Sequence, residues 1–280
     1  MRIITDSAAD FTHEELNRHH ISCVYTQVMF GAETFTAEHP LTEDVFWTRL
    51  LAGENAKTSQ PSPEAFLQAF RAAREAGEDV LCICISSALS GTMQSARIAA
   101  SMLEDEHIHI VDSMTGAAGQ KLLVLAACKL RDEGRLIARE IVQRLENLRS
   151  RVRLFASLDT LDNLARSGRI PRAVASLGTL AQLKPLVEVT RDGRIALCGK
   201  SLGRRRAIDA LAKRIAAMKI DPAHPIIPLY SYQKDNALAL LRKLKEHGVS
   251  VNEALLSALG PSISPHIGPN AYGVAFVAAE

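Results

Sequence analysis

The stretch Val80–Thr92, VLCICISSALSGT, decides the predicted fold of this chain. Its first six residues are apolar, and Cys82 and Cys84 among them are best explained as small core residues of a buried strand, with metal or redox chemistry as the alternative. Hydroxyl residues then surround Gly91 before a helical stretch begins near Thr92. A buried strand that leads into a helix predicts a βα unit within a mostly parallel sheet that helices cover on both faces.

Segments on both sides of this stretch repeat the alternation of strand and helix. Arg2–Thr5 and His109–Val111 are short apolar strands, and each is followed by an Asp-Ser pair, at residues 6–7 and 112–113. A further strand is predicted near residues 22–30. Helices are predicted near residues 12–19, 42–51, 63–76, 92–103, 116–130 and 136–149. The first half of the chain is therefore predicted to be an α/β domain.

A second, smaller α/β domain is predicted in the rest of the chain, because 280 residues exceed one average domain. Strand character resumes at Val152–Ala156, and we place the domains at residues 1–155 and 156–280. The turn signal Arg191-Asp192-Gly193 predicts a hairpin between two short strands. Further strands are predicted near residues 226–231 and 271–278, and helices near residues 159–165, 206–218 and 236–247.

The composition excludes several classes of function. Lys and Arg number 33 against 31 Asp and Glu, so the net charge of +2 provides no whole-chain attraction to nucleic acid or membrane. The chain reaches Asp6 before a signal peptide could form, and no apolar run is long enough to span a bilayer. We therefore expect a cytoplasmic protein without membrane insertion. The histidines lack matched partners at metal-ligand spacing, and we expect no metal.

Ser90, Gly91 and Thr92 form the first candidate binding site. They follow a buried strand, and open α/β sheets bind ligands at the carboxyl ends of their strands. Gly91 lets the backbone approach a ligand closely, while the two hydroxyls can donate hydrogen bonds to an anion. Helix capping is the alternative explanation for one of these hydroxyls.

Thr58 and Ser59 form the second candidate binding site. Ser62 is predicted to cap a helix that begins with Pro63, so Thr58 and Ser59 lie close to a helix N-terminus, which favours an anion. The alternative is an ordinary loop threonine. A nucleotide-binding loop would need a lysine before its Ser or Thr, and none occurs here. A neutral hydroxyl cradle favours a carboxylate over a phosphate.

His266 lies among glycines and prolines, where a rigid loop could present its imidazole to a carboxylate. A satisfied loop histidine is the alternative. Ser90 and His266 could instead belong to the triad of a serine hydrolase, with Asp6 or Asp112 as its acid. The sequence disfavours hydrolysis, because Ala88 stands where the Gly-x-Ser-x-Gly elbow requires its first glycine.

Two basic runs lie in the second half of the chain. Arg166, Arg169 and Arg172 form the first run, and Arg204-Arg205-Arg206 forms the second near the start of a helix. Solvated surface is the usual explanation of such runs. A docking face for an acidic or phosphate-bearing partner is the alternative.

The candidate segments, taken in order, resemble the DegV family of bacterial fatty-acid-binding proteins over nearly the whole chain. The matching segments are Ile4–Ser7, Thr58–Pro63, Ser86–Thr92, Val111–Ser113, Arg166–Ile170, Lys184–Leu186 and His266–Pro269. The resemblance implies a two-domain α/β protein that holds a long-chain fatty acid, such as palmitate or oleate, between its domains.

The resemblance also implies which residues hold the lipid. Thr58, Ser90 and His266 would bind the carboxylate. The residues that support this site would be Ser59, Gly91 and Thr92. The protein would be a carrier and not an enzyme, with no cofactor besides the bound lipid, and transient contact with a membrane stays open.

Better understood members of the family present the acyl carboxylate to a separate ATP-dependent kinase, which would explain why this chain lacks a nucleotide motif. Arg169, with Arg166 and Arg204, would dock that kinase or contact the phosphoryl group. The chain departs from the family pattern twice. Ser167 replaces the first glycine of an Arg-Gly-Gly-Arg loop, and Leu202 stands where many members have an arginine.

Overall fold

The computed structural model describes residues 1–37, 39–175 and 182–280, and the chain divides into two compact units. Unit 1 is Met1–Ser150 and unit 2 is Arg151–Glu280. The predicted boundary after residue 155 falls inside the strand Val152–Ser157, which belongs to unit 2.

The elements of unit 1 follow the predicted alternation. Its strands are β1 (Arg2–Asp6), β2 (Ile21–Val24), β3 (Gln27–Phe30), β4 (Glu33–Phe35), β5 (Ala56–Ser59), β6 (Val80–Cys84) and β7 (Ile108–Asp112). Its helices are α1 (His13–Arg18), α2 (Glu43–Leu51), α3 (Pro63–Glu75), α4 (Thr92–Leu103), α5 (Ala117–Glu133) and α6 (Ala138–Arg149). The predicted helices are confirmed. The single strand predicted near residues 22–30 is wrong, because β2 and β3 belong to different sheets.

Strands β2, β1, β6 and β7 form, in that order, a parallel sheet. Every residue of β6 is buried, and Cys82 and Cys84 pack with apolar side chains of α3 and α4. Helices α5 and α6 also contact this sheet and bury Leu123 and Ile141 completely. This confirms the expectation from the sequence, because a strand that is apolar at every position needs apolar partners on both faces.

The five cysteines are free thiols, and Cys82 and Cys84 are buried as predicted. The sulfur atoms of Cys82 and Cys84 lie 3.6 Å apart inside the sheet of unit 1. Across residues 1–37, 39–175 and 182–280, no cluster of three His, Cys, Asp or Glu side chains could hold a metal ion. Within the same ranges, no helix combines the length and apolar character needed to cross a membrane.

A second sheet of unit 1 is antiparallel and has the strand order β4-β3-β5. Its core is formed with α2 and contains Val28, Phe30, Phe35, Phe46 and Trp47. Thr58 lies opposite Val28 in the β3–β5 ladder, and Ser59 lies opposite Gln27. Thr58 is therefore not a loop threonine. Its strand escaped prediction because AKTS has four residues and too little apolar character to give a pattern.

The elements of unit 2 form one sheet flanked by helices. Its strands are β8 (Val152–Ser157), β9 (Leu183–Val189), β10 (Ile195–Leu202), β11 (Ile227–Tyr230), β12 (Ser257–Ala258) and β13 (Tyr272–Val277). Its helices are α7 (Asp162–Arg166), α8 (Arg172–Ala175), α9 (Arg204–Ala216), α10 (Asp235–Glu246) and α11 (Ser264–Ile267). The prediction of a loop around His266 is wrong, because residues 264–267 form the helical turn α11.

The sheet of unit 2 has the order β10-β9-β8-β13-β11-β12, and its pairs are antiparallel except for β11 with β12. The predicted hairpin is confirmed as β9 and β10, and Gly193 in its turn takes the positive φ of 76° that such turns favour. The core packs α9 and α10 against the sheet through Leu211, Leu240 and Phe276.

Candidate functional site

Asp6, at the end of β1, holds the backbone on which the first candidate site is built. Its buried carboxylate accepts hydrogen bonds from the backbone N–H of Ile85 (2.8 Å) and of Ala8 (3.0 Å) and from Nε2 of Gln120 (3.1 Å). Burial raises the pKa of the Asp6 carboxyl to about 6, although the hydrogen bonds act in the opposite direction. Asp6 is thus a buried acceptor beside the Ser86–Gly91 loop.

Asp112, at the end of β7, has a comparable structural role. It accepts hydrogen bonds from the backbone N–H of Ser87 (3.3 Å) and of Met114 (2.9 Å). Both aspartates that the sequence offered for a triad therefore bind backbone N–H groups at strand ends. Parallel strands end at one edge of the sheet, where the N–H groups of the connecting loops need hydrogen-bond acceptors. This need explains why an aspartate follows each of the two strands.

Ser90 lies half-buried between β6 and α4, as expected from the sequence. Its Oγ lies 2.9 Å from Oγ1 of Thr92 and accepts a hydrogen bond from the backbone N–H of Thr92 at 3.3 Å. The N-cap residue of α4 is Gly91, and no side chain caps it. Ser90 and Thr92 thus form a pair of neighbouring hydroxyls at the start of a helix.

Thr58 and Ser59 are half-buried in the edge strand β5. The predicted cap is confirmed, because Oγ of Ser62 accepts a hydrogen bond from the N–H of Ala65 at 3.2 Å and Pro63 begins α3. The strand and the capped helix leave Gln60 and Pro61 as the short connection between them.

Gln60 joins the two candidate segments of unit 1, and it was missed in the sequence. Its Nε2 donates a hydrogen bond of 3.2 Å to Oγ of Ser95 in α4. Its amide group also packs against Gly91, where an added Cβ would lie 2.7 Å from the Gln60 Cδ. The Thr58 and Ser90 segments are therefore in contact through this side chain. The segment Thr58–Pro63, which resembles the family pattern, contains Gln60, but a glutamine beside a proline gives no sign of what its side chain contacts.

His266 lies in the helical turn α11, which ends at Gly268 with a φ of 77°. A side chain at Gly268 would collide with the amide of Asn163 in α7, so α7 and α11 pack closely at this point. Burial and, to a smaller degree, the positive charge of Arg169 together lower the pKa of His266 to about 4. The imidazole is therefore neutral at pH 7.

Arg166 is the last residue of α7, and Arg169 lies in the loop that follows. The backbone N–H of Arg169 donates to the carbonyl of Leu164 at 2.8 Å, and burial lowers the pKa of its half-buried guanidinium. Arg166 is exposed and donates to the side chain of Asn163. Ser167, which departs from the family pattern, has a φ of −84°, a conformation open to any residue. The departure therefore strains nothing.

Arg204 begins α9 and lies in a different set of contacts. Its Nη2 is 3.7 Å from Oδ1 of Asp159, which also accepts a hydrogen bond of 2.6 Å from Nζ of Lys184. The other carboxylate oxygen of Asp159 accepts from Nδ2 of Asn270 at 2.8 Å. Leu202, at the position of a family arginine, is half-exposed. The structure thus groups His266 with Arg169, and Arg204 with Asp159.

The predicted carboxylate ligands are divided between the two units. Thr58 and Ser90 belong to unit 1, together with Ser59, Gly91 and Thr92, whereas His266 belongs to unit 2. Within unit 1 the predicted residues occupy two segments in contact.

Comparisons with known proteins agree over the full length of the chain. A family model, described as the uncharacterised protein family DegV, matches residues 1–279. The DegV domain-containing protein YteA of Lactococcus lactis is 33% identical over 274 residues, which cover 95% of this chain and 94% of that protein. A DegV domain-containing protein of Staphylococcus aureus is 28% identical over 281 residues, 98% of this chain and 96% of that protein.

Solved structures of the same fold include lipid-binding proteins. A DegV family protein from Thermus thermophilus, described by its fatty acid binding, is 32% identical, with all of both chains covered and a TM-score of 0.87. A stearic-acid-binding protein from Eubacterium ventriosum has the same fold at 23% identity, with 99% and 98% of the chains covered and a TM-score of 0.88. The family model match and a relative above 30% identity establish that this chain belongs to the DegV family.

Proposed function

We propose that this protein carries a long-chain fatty acid, such as palmitate or oleate, and that Thr58, Ser90 and His266 bind its carboxylate. The observation that carries the proposal is the fatty acid binding of the Thermus thermophilus relative, which is 32% identical along its whole length. The hydroxyl pair at the end of a parallel strand supports it, because ligands of open α/β sheets bind at that edge.

The hydroxyls of Ser90 and Thr92 suit a carboxylate. Ser90 Oγ accepts from the N–H of Thr92, and it can accept from the Thr92 hydroxyl as well. The proton of Ser90 is then left to donate to an anion. Hydrogen bonds to a charged acceptor contribute about 1.5–3 kcal/mol, roughly twice as much as neutral ones.

The neutral imidazole of His266 can donate one N–H to the same carboxylate. An adjacent negative charge favours the protonated form, so a bound lipid would raise the pKa of His266 from its value of about 4. Arg169 lies near enough to lower that pKa and would also be attracted to the anion. The head-group site would be electrically balanced without a metal ion.

The acyl tail would supply most of the affinity. Burial of a sixteen-carbon chain contributes on the order of 10 kcal/mol before ordering is subtracted, at about 0.8 kcal/mol per methylene. The carboxylate site would then fix orientation and leave the head group within reach of a partner.

The deciding experiment is lipid extraction. Protein purified from a bacterial host is expected to release fatty acid that mass spectrometry identifies after denaturation. Ser90→Ala is expected to weaken palmitate binding at least tenfold in a fluorescence displacement titration, because one charged hydrogen bond is lost. Ser101→Ala is the matched control, since this serine is on the exposed side of α4.

Three results would contradict the proposed carrier. The first is purified protein that contains no lipid and takes up neither palmitate nor oleate. The second is an equal affinity of the Ser90→Ala and Ser101→Ala variants. The third is covalent labelling of Ser90 by a fluorophosphonate in folded protein, which would indicate a serine hydrolase.

We further propose that the bound fatty acid is presented to a separate ATP-dependent fatty acid kinase. A carboxylate oxygen of the lipid would attack the γ-phosphorus of ATP, and ADP would leave, so that an acyl phosphate forms. Arg169, Arg166 and Arg204 would dock the kinase or contact the phosphoryl group. The charge of Arg169 acts on the pKa of His266, a proposed ligand of the carboxylate, and this supports the role.

Arginine variants separate kinase coupling from lipid binding. The assay contains a bacterial fatty acid kinase, ATP and oleate. Arg169→Ala is expected to lower the rate of acyl phosphate formation at least tenfold, because a charge-assisted hydrogen bond to the phosphoryl group is lost. The rate is measured at saturating oleate, so that a weaker attraction between the lipid carboxylate and the variant does not lower it. Arg191→Ala, an exposed arginine in the turn between β9 and β10, is the control. Equal rates for the two variants would exclude the proposed role of Arg169.

A further inference from the structure

The side chain of Gln60 crosses from the end of β5 to the first turn of α4. Its Nε2 donates to Oγ of Ser95 at 3.2 Å, and Ser95 is almost fully buried. The N–H of Ser95 in turn donates to the carbonyl of Gly91 at 3.1 Å. The amide of Gln60 therefore spans the helical turn that begins beside Ser90.

Gly91 lies against the amide of Gln60, and its backbone conformation does not require glycine. Its φ of −74° and ψ of 4° are accessible to residues with a side chain. A Cβ at this position would lie 2.7 Å from Cδ and 2.8 Å from Nε2 of Gln60, and closer still to Oε1. A residue with a Cβ at position 91 would therefore displace the amide end of the exposed Gln60 side chain.

Thr58 precedes Gln60 by two residues, a spacing that directs side chains to the same side of an extended chain. The backbone of Thr58 is held in the β3–β5 ladder, while Ser90 is held by its own contacts with Thr92. The Gln60 amide connects these two segments by a hydrogen bond and by close packing.

We propose that Gln60 is a positioning residue of the carboxylate site, which sets the separation of Thr58 and Ser90 by filling the space above Gly91. The inference rests on the proposed function, because it assigns Gln60 to the head-group site of the fatty acid. Gln60 acts on the lipid through the two hydroxyl residues. Its loss should weaken recognition of the carboxylate and leave the contribution of the tail in place.

A double-mutant cycle between Gln60 and Gly91 tests this assignment. The variants are Gln60→Ala, Gly91→Ala and the double variant, and the affinities for palmitate and for methyl palmitate are measured in each. Gln60→Ala is expected to weaken palmitate binding about tenfold and methyl palmitate binding less than twofold. Gly91→Ala should weaken palmitate binding at least tenfold alone but less than threefold when Gln60 is already alanine, because the collision is then removed.

The matched control is Gln94→Ala, which truncates an exposed glutamine on α4. The thermal midpoint of each variant is recorded so that the affinities are compared in folded protein. If Gly91→Ala does not fold, recovery of folding in the double variant shows the coupling between Gln60 and Gly91. The ratio of palmitate to methyl palmitate affinity in Gln60→Ala then tests whether Gln60 positions the carboxylate site. Equal loss of both lipids, unchanged palmitate affinity of Gln60→Ala, or additive effects of the two substitutions would overturn the inference. Failure of the proposed function is distinct, because the unmodified protein would then not bind palmitate.

Discussion

Asp6→Asn is expected to remove a dependence of stability on pH that amounts to about 3 kcal/mol. The carboxyl of Asp6 is completely buried, and its pKa is about 6 in the folded protein against an ordinary value of 3.8. Since the folded state binds this proton more tightly, the contribution of Asp6 to stability is complete below pH 3.8 and is lost as the pH rises through 6. A difference of about two units corresponds to roughly 3 kcal/mol, of which about 2 kcal/mol is lost between pH 4.5 and 7.5.

Urea denaturation at several pH values measures this effect through the fluorescence of Trp47. Trp47 is the one tryptophan of the chain and lies in the core of unit 1, so it reports on the unit that contains Asp6. The free energy of unfolding of the unmodified protein, minus that of Asp6→Asn, should fall by about 2 kcal/mol between pH 4.5 and 7.5. Asp44→Asn, at an exposed position of α2, serves as the control. A constant or rising difference would show that Asp6 is charged in the folded protein at low pH.

Gly273→Ala is expected to lower the free energy of unfolding of unit 2 by about 3 kcal/mol. A Cβ on Gly273 would lie 2.8 Å from Cα of Ala156 and closer still to the carbonyl oxygen of Phe155. Both are backbone atoms of β8, the neighbour of β13 inside the sheet. They cannot move aside unless the ladder opens, so the substitution strains the centre of unit 2.

Gly199→Ala is the matched control for Gly273→Ala. Gly199 also lies in a strand of unit 2, but a Cβ there would meet only side-chain atoms of Leu186, the nearest at 3.3 Å. Leu186 can adjust its rotamer, and we expect a loss below about 1 kcal/mol. Thermal unfolding followed by circular dichroism measures the loss of stability in each variant. Hydrogen exchange of the β8 and β13 amides shows whether that loss lies in the sheet of unit 2. Equal losses would mean that the sheet yields to the added methyl group.

The elements that sequence reasoning found are those with a strong local pattern. The apolar run of β6 and the amphipathic spacing of α3 are visible in the sequence because burial on fixed faces repeats along the chain. Strands β5 and β12 have four and two residues, and pairing with strands that are distant in sequence stabilises them. Such pairing leaves no periodic signal in the sequence. For the same reason the sequence did not show that residues 22–30 contain two strands, β2 and β3, of different sheets.

The candidate site shows the same division between local and distant information. Ser90 could be predicted because its position after a buried strand and before a helix is a local feature. Gln60 could not, because its role depends on Gly91 and Ser95, which lie in a different segment of the chain. The low pKa of His266 also escaped prediction, since it follows from burial and from Arg169, about one hundred residues away in sequence.

The state of the native thiols makes this protein convenient to label. Burial raises the pKa of the Cys23 thiol, and it raises the pKa values of Cys128 and Cys198 to about 11. The pKa of Cys84 is raised by its hydrogen bond with Cys82 and by burial. Alkylating reagents react with the thiolate, which is scarce at pH 7 when the pKa is so high. A cysteine introduced on the exposed side of α4 would therefore react with a fluorophore faster than Cys23, Cys84, Cys128 or Cys198.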